Sequence, residues 1–538
     1  MKTCCTATAA TTLVLTGNAL TIPTLINAAQ DPTHQILPSQ DSLERMRTNR
    51  AFAEKLVARG DVVYGLSTGV GVRKKHTVEQ EKMIQFQERM VREHATGQGP
   101  PLDPIVVRAS AIVLLNSLCA GRTNVRPEIA ERISARLCDA VSQPLRSVPM
   151  YGTTGMGDVT PLAHITRDLV YLATQPTSQD STSRVRDRDR VRPPSLSLST
   201  PIKLIAGEAL PLIAQSSVVT AHAALALHET RILLEQMTVL AALDIEGYAA
   251  NPAPYHSLAG SVRPYPGHQH ALRLLRQCLL KGELASTPNN QQRHLQAPLT
   301  FRTAAGVLGA AYDALTFCSQ QVSIELNAHQ QNPLSLAEED RMVSSGHFEM
   351  QALSQAMDIA RLAVAPCLTT QIERSVKMLQ GRDTGLTDGL AAPEDDGALG
   401  HGFSEILWPL QAMGVEARLL AVQPVSAELG SSAQAEGVED RLTMAGLSAR
   451  RLRQFVRLAS RCLAISATIA CQAIDLRQCR LSPTLRKVHE SVRQHVTKMA
   501  KGDPPPSSLD SVVKGLTEGT LLRVKIAEQE GGTTRSML

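Results

Sequence analysis

A phenol, a guanidinium, a carboxylate and an imidazole are the groups in this sequence whose settings could do chemistry. Tyr64 opens a glycine-rich stretch, Tyr64-Gly-Leu-Ser-Thr-Gly-Val-Gly71. A phenol ionises near pH ≈10, so it serves as a base at neutral pH only where dipole ends or a cation lower its pKa. The Arg302 guanidinium suits a carboxylate, which it can grip through two parallel hydrogen bonds. The Glu439 carboxylate suits a cation or a hydrogen-bonding ring. Between these lies the stretch 151–164, Tyr-Gly-Thr-Thr-Gly-Met-Gly-Asp-Val-Thr-Pro-Leu-Ala-His, with Met156 between Gly155 and Gly157. A thioether has no hydroxyl to lose as water. Each residue also has a plain structural reading. Tyr64 could be a turn tyrosine, Arg302 a surface arginine after a loop, His94 a structural imidazole, and Glu439 part of the solvated acidic run 436–440. The cysteines form no C-x-x-C pair and no His/Cys cluster at metal spacing, so no metal is expected.

The elements that must position these groups read as helices. The chain has 538 residues, 43% hydrophobic but only 3% aromatic, so its core must be built from Leu, Ala, Val and Ile, which suits packed helices. Lys+Arg 55 against Asp+Glu 50 is too even a balance for a nucleic-acid partner. Scattered cysteines fit a reduced, cytoplasmic setting. No apolar run is read as reaching the roughly 18 residues that span a bilayer, and polar residues interrupt the apolar N-terminus, against a signal peptide. Thr12 to Ile22 reads as strand-turn-strand around Gly17-Asn18. Helical patterns run over 201–250, 305–326, 349–380, 404–423 and 441–477. Another follows the 151–164 stretch, bearing Leu162, Ile165, Leu169 and Leu172. Residues 176–200, rich in Ser, Thr and alternating Arg/Asp, read as a disordered surface insertion. The bottom-up class is all-α with a minor β element near the N-terminus. The expected divisions are 1–40 (tail and hairpin), 41–200 (active-site domain with the insertion), 201–480 (central helical bundle) and 481–538 (helical tail).

Nine segments, in order, resemble the aromatic amino acid ammonia-lyase family. Tyr64 to Gly71 is similar to its tyrosine loop, and Arg92-Glu-His-Ala-Thr-Gly-Gln-Gly99 to its Ser-His-x-x-Gly stretch. Arg108 to Gly121 follows its next helix, and Asp158 to His164 matches the tail of its ring-forming motif. Further on come Arg263 to Gln269 and Gln296 to Arg302. Then Glu325-Leu-Asn-Ala-His-Gln-Gln-Asn-Pro333 resembles Glu-x-Asn-x-x-x-Asp-Asn-Pro. Gly346-His-Phe348 falls at Gly-Asn-Phe, and Glu439-Asp-Arg-Leu-Thr-Met444 at Glu-Asp-His-x-Ser-Met. The resemblance implies a long central bundle of helices and a homotetramer whose active sites draw on three subunits, with helix N-termini aimed at the site.

Carried over residue by residue, the resemblance makes Tyr64 the base that removes the substrate β-proton. It makes Arg302 the carboxylate clamp, with Gln296 beside it in substrate binding. His94, Phe348 and Glu439 would contact the substrate ring or amino group, and Asn327 and Asn332 match family asparagines. The tyrosine expected three positions before Arg302 is Leu299. Two departures stand out. The family cyclises an internal Ala-Ser-Gly into a methylidene-imidazolone (MIO) electrophile, whereas here the triad is Gly155-Met156-Gly157. The family's Asn-Gly beside the ring is replaced by Ala214-Gln215. The expected activity is therefore a carbon–nitrogen lyase acting on a histidine- or phenylalanine-like amino acid or its betaine without an MIO cofactor, similar to the ergothionase-type members that lack the ring. Two alternatives are a standard MIO-type lyase or aminomutase, with Thr153-Thr154-Gly155 as the reactive triad, and a non-catalytic tetrameric scaffold. The expected partners are a small-molecule substrate and further copies of the chain, with no nucleic acid and no membrane.

Overall fold

The computed structural model describes residues 11–171, 201–395, 400–427 and 435–524; the expected insertion at 176–200 lies outside them. The fold is all-α, with three two-stranded sheets among the described residues. The chain forms two compact units, each assembled from three stretches. The first comprises Met1–Leu225, Gln320–Gln355 and Val425–Ala449, and the second Ala226–Ser319, Ala356–Pro424 and Arg450–Leu538.

The first unit opens differently from the expected hairpin. Strand β1 (Thr12–Leu15) pairs in parallel with β2 (Gln35–Pro38), and helix α1 (Ile22–Gln30) crosses between them. Gly17 does turn the chain, at φ 86°, where the Ala120 backbone leaves no room for a Cβ. The turn leads into a helix because Thr21 and Thr24 form a reciprocal capping box and Pro23 occupies the first turn. Helix α2 (Gln40–Arg59) ends at Gly60, φ 79°. Its Phe52, Ala53 and Leu56 pack with Val63 and Leu66, which anchor the chain on both sides of Tyr64. Helix α3 (Met83–His94) follows. Strand β3 (Gln98–Pro101) pairs antiparallel with β4 (Pro149–Tyr151), which delivers the 151–158 stretch. Between these strands run α4 (Pro104–Cys119), buried almost throughout, and α5 (Pro127–Cys138).

The helix expected after the motif begins as α6 (Val159–Thr166) and widens into a π-type turn over Arg167–Tyr171. Leu162, Ile165 and Leu169 are buried there, and Leu172 lies outside the described residues. The continuous signal over 201–250 is broken in the structure. A turn precedes the short α7 (Ala209–Ile213), the chain kinks through Ala214–Ser216, and α8 (Ser217–Tyr248) starts afresh. The break has a cause outside that stretch. The Asp158 carboxylate accepts from the N–H groups of Val218 and Val219, both at 2.8 Å, and so supplies a new N-terminal cap. Asn327 serves as a loop tie. Its side chain exchanges hydrogen bonds with the Leu20 main chain at 2.9 Å each way. Strands β5 (Leu334–Leu336) and β6 (Arg341–Val343) complete the unit.

The second unit contains Pro266–Leu279, Leu407–Val422, Pro483–Arg493 and most of Ala304–Glu325, Gln351–Met378 and Ala445–Arg477. Its core holds a buried ion pair. Asp244 Oδ2 accepts from Arg374 Nε and Gln371 Nε2, both at 2.8 Å. Burial pushes the Asp244 carboxyl up to about 6, against the pull of Arg374. Tyr248 stacks between His294 and Phe301, with ring centroids 5.0 and 4.3 Å away. Leu407–Val422 leaves Trp408, Val415, Leu419 and Val422 exposed.

Residues 209–248 correct one expectation. By length and composition this helical stretch could cross a membrane, although 94% of its most apolar window is buried inside the protein. Uncharged polar residues such as Gln215, Ser217 and Thr220 punctuate the run without lowering its average hydropathy enough to disqualify it. The described cysteines are free and mostly buried, and burial pushes thiols such as Cys119 and Cys367 up to about 12. Among the described residues no group of three or more His, Cys, Asp or Glu side chains could hold a metal ion.

Candidate active site

A cavity of about 930 Å³ opens in the first unit, and every residue lining it belongs to that unit. It brings together Tyr64, His94, Met156, Gly157, Phe348 and Glu439, which lie far apart in sequence. Gly155 is buried behind this wall. Gln296 and Arg302 do not line the cavity: both belong to the second unit, where the Gln296 carboxamide oxygen can accept from Arg302 Nη2 at 3.1 Å. The carboxylate clamp expected at Arg302 is therefore absent from the walls that one chain forms.

The Tyr64 loop is held from within. Val63 O accepts from the N–H groups of Leu66, Ser67 and Thr68, and Gly69 N donates to His76 O at 2.9 Å. Gly65 sits at φ 69° against Leu210, a position only glycine fills without strain. The loop curls so that Gly71 N donates to the Tyr64 hydroxyl oxygen at 3.0 Å. Burial raises the Tyr64 phenol above its ordinary pKa. The Glu439 carboxylate adds to that rise, and the Gly71 N–H opposes it. This runs against the lowering that a phenolic base requires. At the C-terminal end of α3, His94 Nδ1 lies 2.7 Å from Met90 O. Because a carbonyl can only accept, Nδ1 is the donor in that contact.

The Met156 wall is built from glycine and hydrogen bonds. Gly155 and Gly157 lie at φ 80° and 77°. A Cβ on Gly155 would collide with Thr443 Oγ1, which donates to Gly155 O at 2.7 Å. Thr154 O accepts from the N–H groups of Thr443 and Met444 at 3.1 and 2.8 Å, and Gly155 N donates to Thr153 Oγ1 at 3.0 Å. Met156 pairs with Glu349 in an isolated antiparallel bridge. Next to it Asp158 is fully buried and capped onto α8; burial outweighs its hydrogen bonds and pushes its carboxyl up to about 6. Asp158 N donates to Gln215 O at 2.7 Å, and Gly157 lies beside Ala214, so the two departures from the family pattern are neighbours. Asn332, which also lines the cavity, ties a loop through Ser345 N at 3.0 Å.

The residues at 155–157 do not fit an MIO ring. Gly155 has no room for the alanine Cβ of the motif, and Met156 has no hydroxyl to lose as water. In the alternative triad Thr153-Thr154-Gly155 the serine position is held by Thr154, whose dehydration would give a substituted, more crowded methylene.

The charges on the walls are mostly paired. Lys82 meets Glu79 at 2.6 Å, Arg89 meets Glu93 at 2.9 Å, and Arg441 meets Glu349 at 3.0 Å. Among the described residues, Glu439 and Asp440 have no cation at ion-pair distance, and Arg73 is the lining cation without a carboxylate partner at that distance. Glu349 and Arg441 were missed by motif reading, although both stand inside or next to quoted segments: Glu349 follows Phe348, and Arg441 replaces the histidine of Glu-Asp-His.

The sequence profile of the aromatic amino acid lyases matches residues 20–494. The chain belongs to the aromatic amino acid lyase family. It is thus a member of a carbon–nitrogen lyase family. The histidine ammonia-lyase of Deinococcus radiodurans is 29% identical over 495 residues, covering 91% of this chain and 91% of that protein. The histidine ammonia-lyase of Streptococcus pyogenes is 27% identical over 464 residues, covering 86% and 87%. Among solved structures, the ergothionase of Treponema denticola superposes with a TM-score of 0.82 at 22% identity, over 95% of this chain and 98% of that one. The tyrosine aminomutase of Streptomyces globisporus gives 0.84 at 23%, over 96% and 100%. At these identities the structural likenesses establish the aromatic amino acid lyase fold alone.

Proposed function

We propose that this protein eliminates the quaternary ammonium group of an aromatic amino-acid-like betaine as a neutral amine, without an MIO ring, giving an α,β-unsaturated acid. The observation that carries this reading is the Met156 wall: a thioether flanked by glycines faces the same cavity as Tyr64 and Glu439. In the step proposed, the Tyr64 phenolate takes the proton from the β-carbon. The C–H electron pair forms the C=C bond, and the C–N pair leaves with the amine. A quaternary ammonium departs as a neutral tertiary amine and needs no electrophile to activate it. The unpaired carboxylates Glu439 and Asp440 favour such a cation. A cation held against Glu439 would offset that carboxylate's effect on Tyr64 and so ease phenol ionisation. Phe348 and His94 supply ring contacts. The Arg302 clamp would come from another copy in a homotetramer, a reading supported by the exposed Trp408, Leu419 and Val422.

Intact mass and a substrate panel test the proposal. The purified protein should show no deficit of two waters. It should release unsaturated acid from trimethylated histidine, phenylalanine or tyrosine faster than from the parent amino acids. A two-water deficit, or brisk turnover of a plain amino acid with none of the betaines, would sink it.

A further inference from the structure

Arg441 lines the cavity with a hydrogen-bonding fork that is only partly used. Its Nη2 and Nε lie 3.0 and 3.3 Å from Glu349 Oε1, and Nη2 lies 3.3 Å from Gln351 Oε1. Among the described residues Nη1 has no partner. Glu349 is the better anchored of the pair. Its main chain bridges Met156, and its Oε1 also accepts from Gln351 N at 3.2 Å. The ion pair is partly exposed, with side chains 45% and 35% accessible, and pairs this exposed contribute little net stability. A ligand carboxylate could therefore replace Glu349 at small cost. A guanidinium would then meet it through two parallel donors.

The neighbours of Arg441 strengthen the case. Glu439, two residues earlier, lines the same cavity. A short loop thus presents an unpaired carboxylate and a guanidinium to one space. An α-amino acid or betaine carries the complementary pair, an ammonium and a carboxylate on one carbon. The other lining cations match less well. Lys82 and Arg89 are engaged by carboxylates within a turn of their own positions, and Arg73 lies near Glu93.

We infer that Arg441 is the substrate-carboxylate contact within this chain, and that Glu349 occupies its fork until a substrate carboxylate displaces it. The inference rests on the proposed reading that the cavity admits an amino-acid-like acid; its test reads binding alone, whereas the ring-free reading is decided by mass and turnover.

The experiment is calorimetric titration of the full-length protein with trans-cinnamate and trans-urocanate, and with cinnamamide as the uncharged control. Arg441→Gln should weaken acid binding at least tenfold and leave cinnamamide unchanged. Arg441→Lys, which keeps the charge and loses the fork, should fall between. Glu349→Gln keeps the oxygen that accepts from Gln351 N but removes the competing charge, so it should tighten acid binding severalfold. This opposite sign is what a merely structural ion pair would not produce, and it stands even if Arg441→Gln fails to fold. Parallel loosening in Glu349→Gln would overturn the inference. So would unchanged affinity in Arg441→Gln alongside a large loss in Arg302→Gln, or no binding of either acid by the wild-type protein.

Discussion

Replacing Asp158 with asparagine should change how the stability of the protein depends on pH. Asp158 is fully buried, accepts from Val218 N and Val219 N, and has its carboxyl pushed up from 3.8 to about 6 by burial. Between about pH 4 and pH 6 the folded chain therefore holds a proton that the unfolded chain has released. Stability falls as pH rises through that window and is flat above it. At about 1.4 kcal/mol per pKa unit, the difference is worth on the order of 3 kcal/mol. Asp158→Asn retains an oxygen to accept from the α8 N-terminus and has no charge to desolvate. Relative to wild type, the variant should gain about 3 kcal/mol between pH 4 and pH 8, whatever its stability at either end alone. Urea unfolding followed by circular dichroism, at matched protein concentration across that range, measures this double difference. Parallel curves for the two proteins would refute the claim that burial dominates the hydrogen bonds at Asp158, and with it the view that this carboxylate costs stability in order to seat the Met156 wall.

Other perturbations follow from the same geometry. Tyr64→Phe should abolish betaine turnover while ligand binding by calorimetry persists, because only the hydroxyl is lost. Since burial and Glu439 both raise the Tyr64 pKa, kcat/KM should climb with pH through the neutral range; Glu439→Gln should move that rise to lower pH in a pH–rate profile. Gly155→Ala should destabilise by about 1–3 kcal/mol in denaturant titration, because it forces a side chain into a positive-φ position against Thr443. Arg374→Ala should cost about 3–5 kcal/mol in the same assay by leaving Asp244 buried without its partner.

The parts of this protein legible in sequence are those whose signal is local. Long helices such as Gln351–Met378 and Ala445–Arg477 announce themselves through apolar periodicity. Tyr64, His94, Phe348 and Glu439 sit in short segments recognisable by residue type and spacing, and the cavity gathers all four. What depends on distant partners was not legible. The kink before Ser217 is set by Asp158, some 60 positions earlier. The N-terminal strand finds a parallel partner across α1, and the capping residues Thr21 and Thr24, which could have signalled this, are individually weak. Arg302 illustrates a different limit. A motif can match a residue type, but it cannot say whether one chain folds that residue into its own cavity. Arg441 and Glu349 were overlooked because each is ordinary alone; only their 3.0 Å contact on the cavity wall gives them meaning.

The two departures from the family pattern belong to one piece of structure. Asp158 N donates to Gln215 O, the Gln215 side chain donates to Pro211 O at 2.7 Å, and Ser217 Oγ donates to Gln215 Oε1 at 3.1 Å. Gln215 is fully buried in that network. Where the family places Asn-Gly beside its electrophile, this chain has a buried glutamine whose side chain ties α7 to the start of α8 and whose carbonyl holds Asp158, two residues past Met156. Loss of a prosthetic group by drift would leave loosened packing or orphaned donors at this wall. Instead Gly155 and Thr443 fit against each other, Gly157 lies beside Ala214, and the cavity keeps its phenol and carboxylate. Compensated changes on the electrophile's side, with a phenol and a carboxylate kept in the cavity, are what selection for an elimination that needs no electrophile would leave behind. A Met156→Ala variant separates the alternatives. If the wall has only to be closed, betaine turnover should fall modestly as the cavity widens. If Met156 itself contacts the leaving group, KM for a trimethylammonium substrate should rise several-fold while that for a smaller amine stays near wild type. Complete indifference of both parameters would remove Met156 from the proposed chemistry.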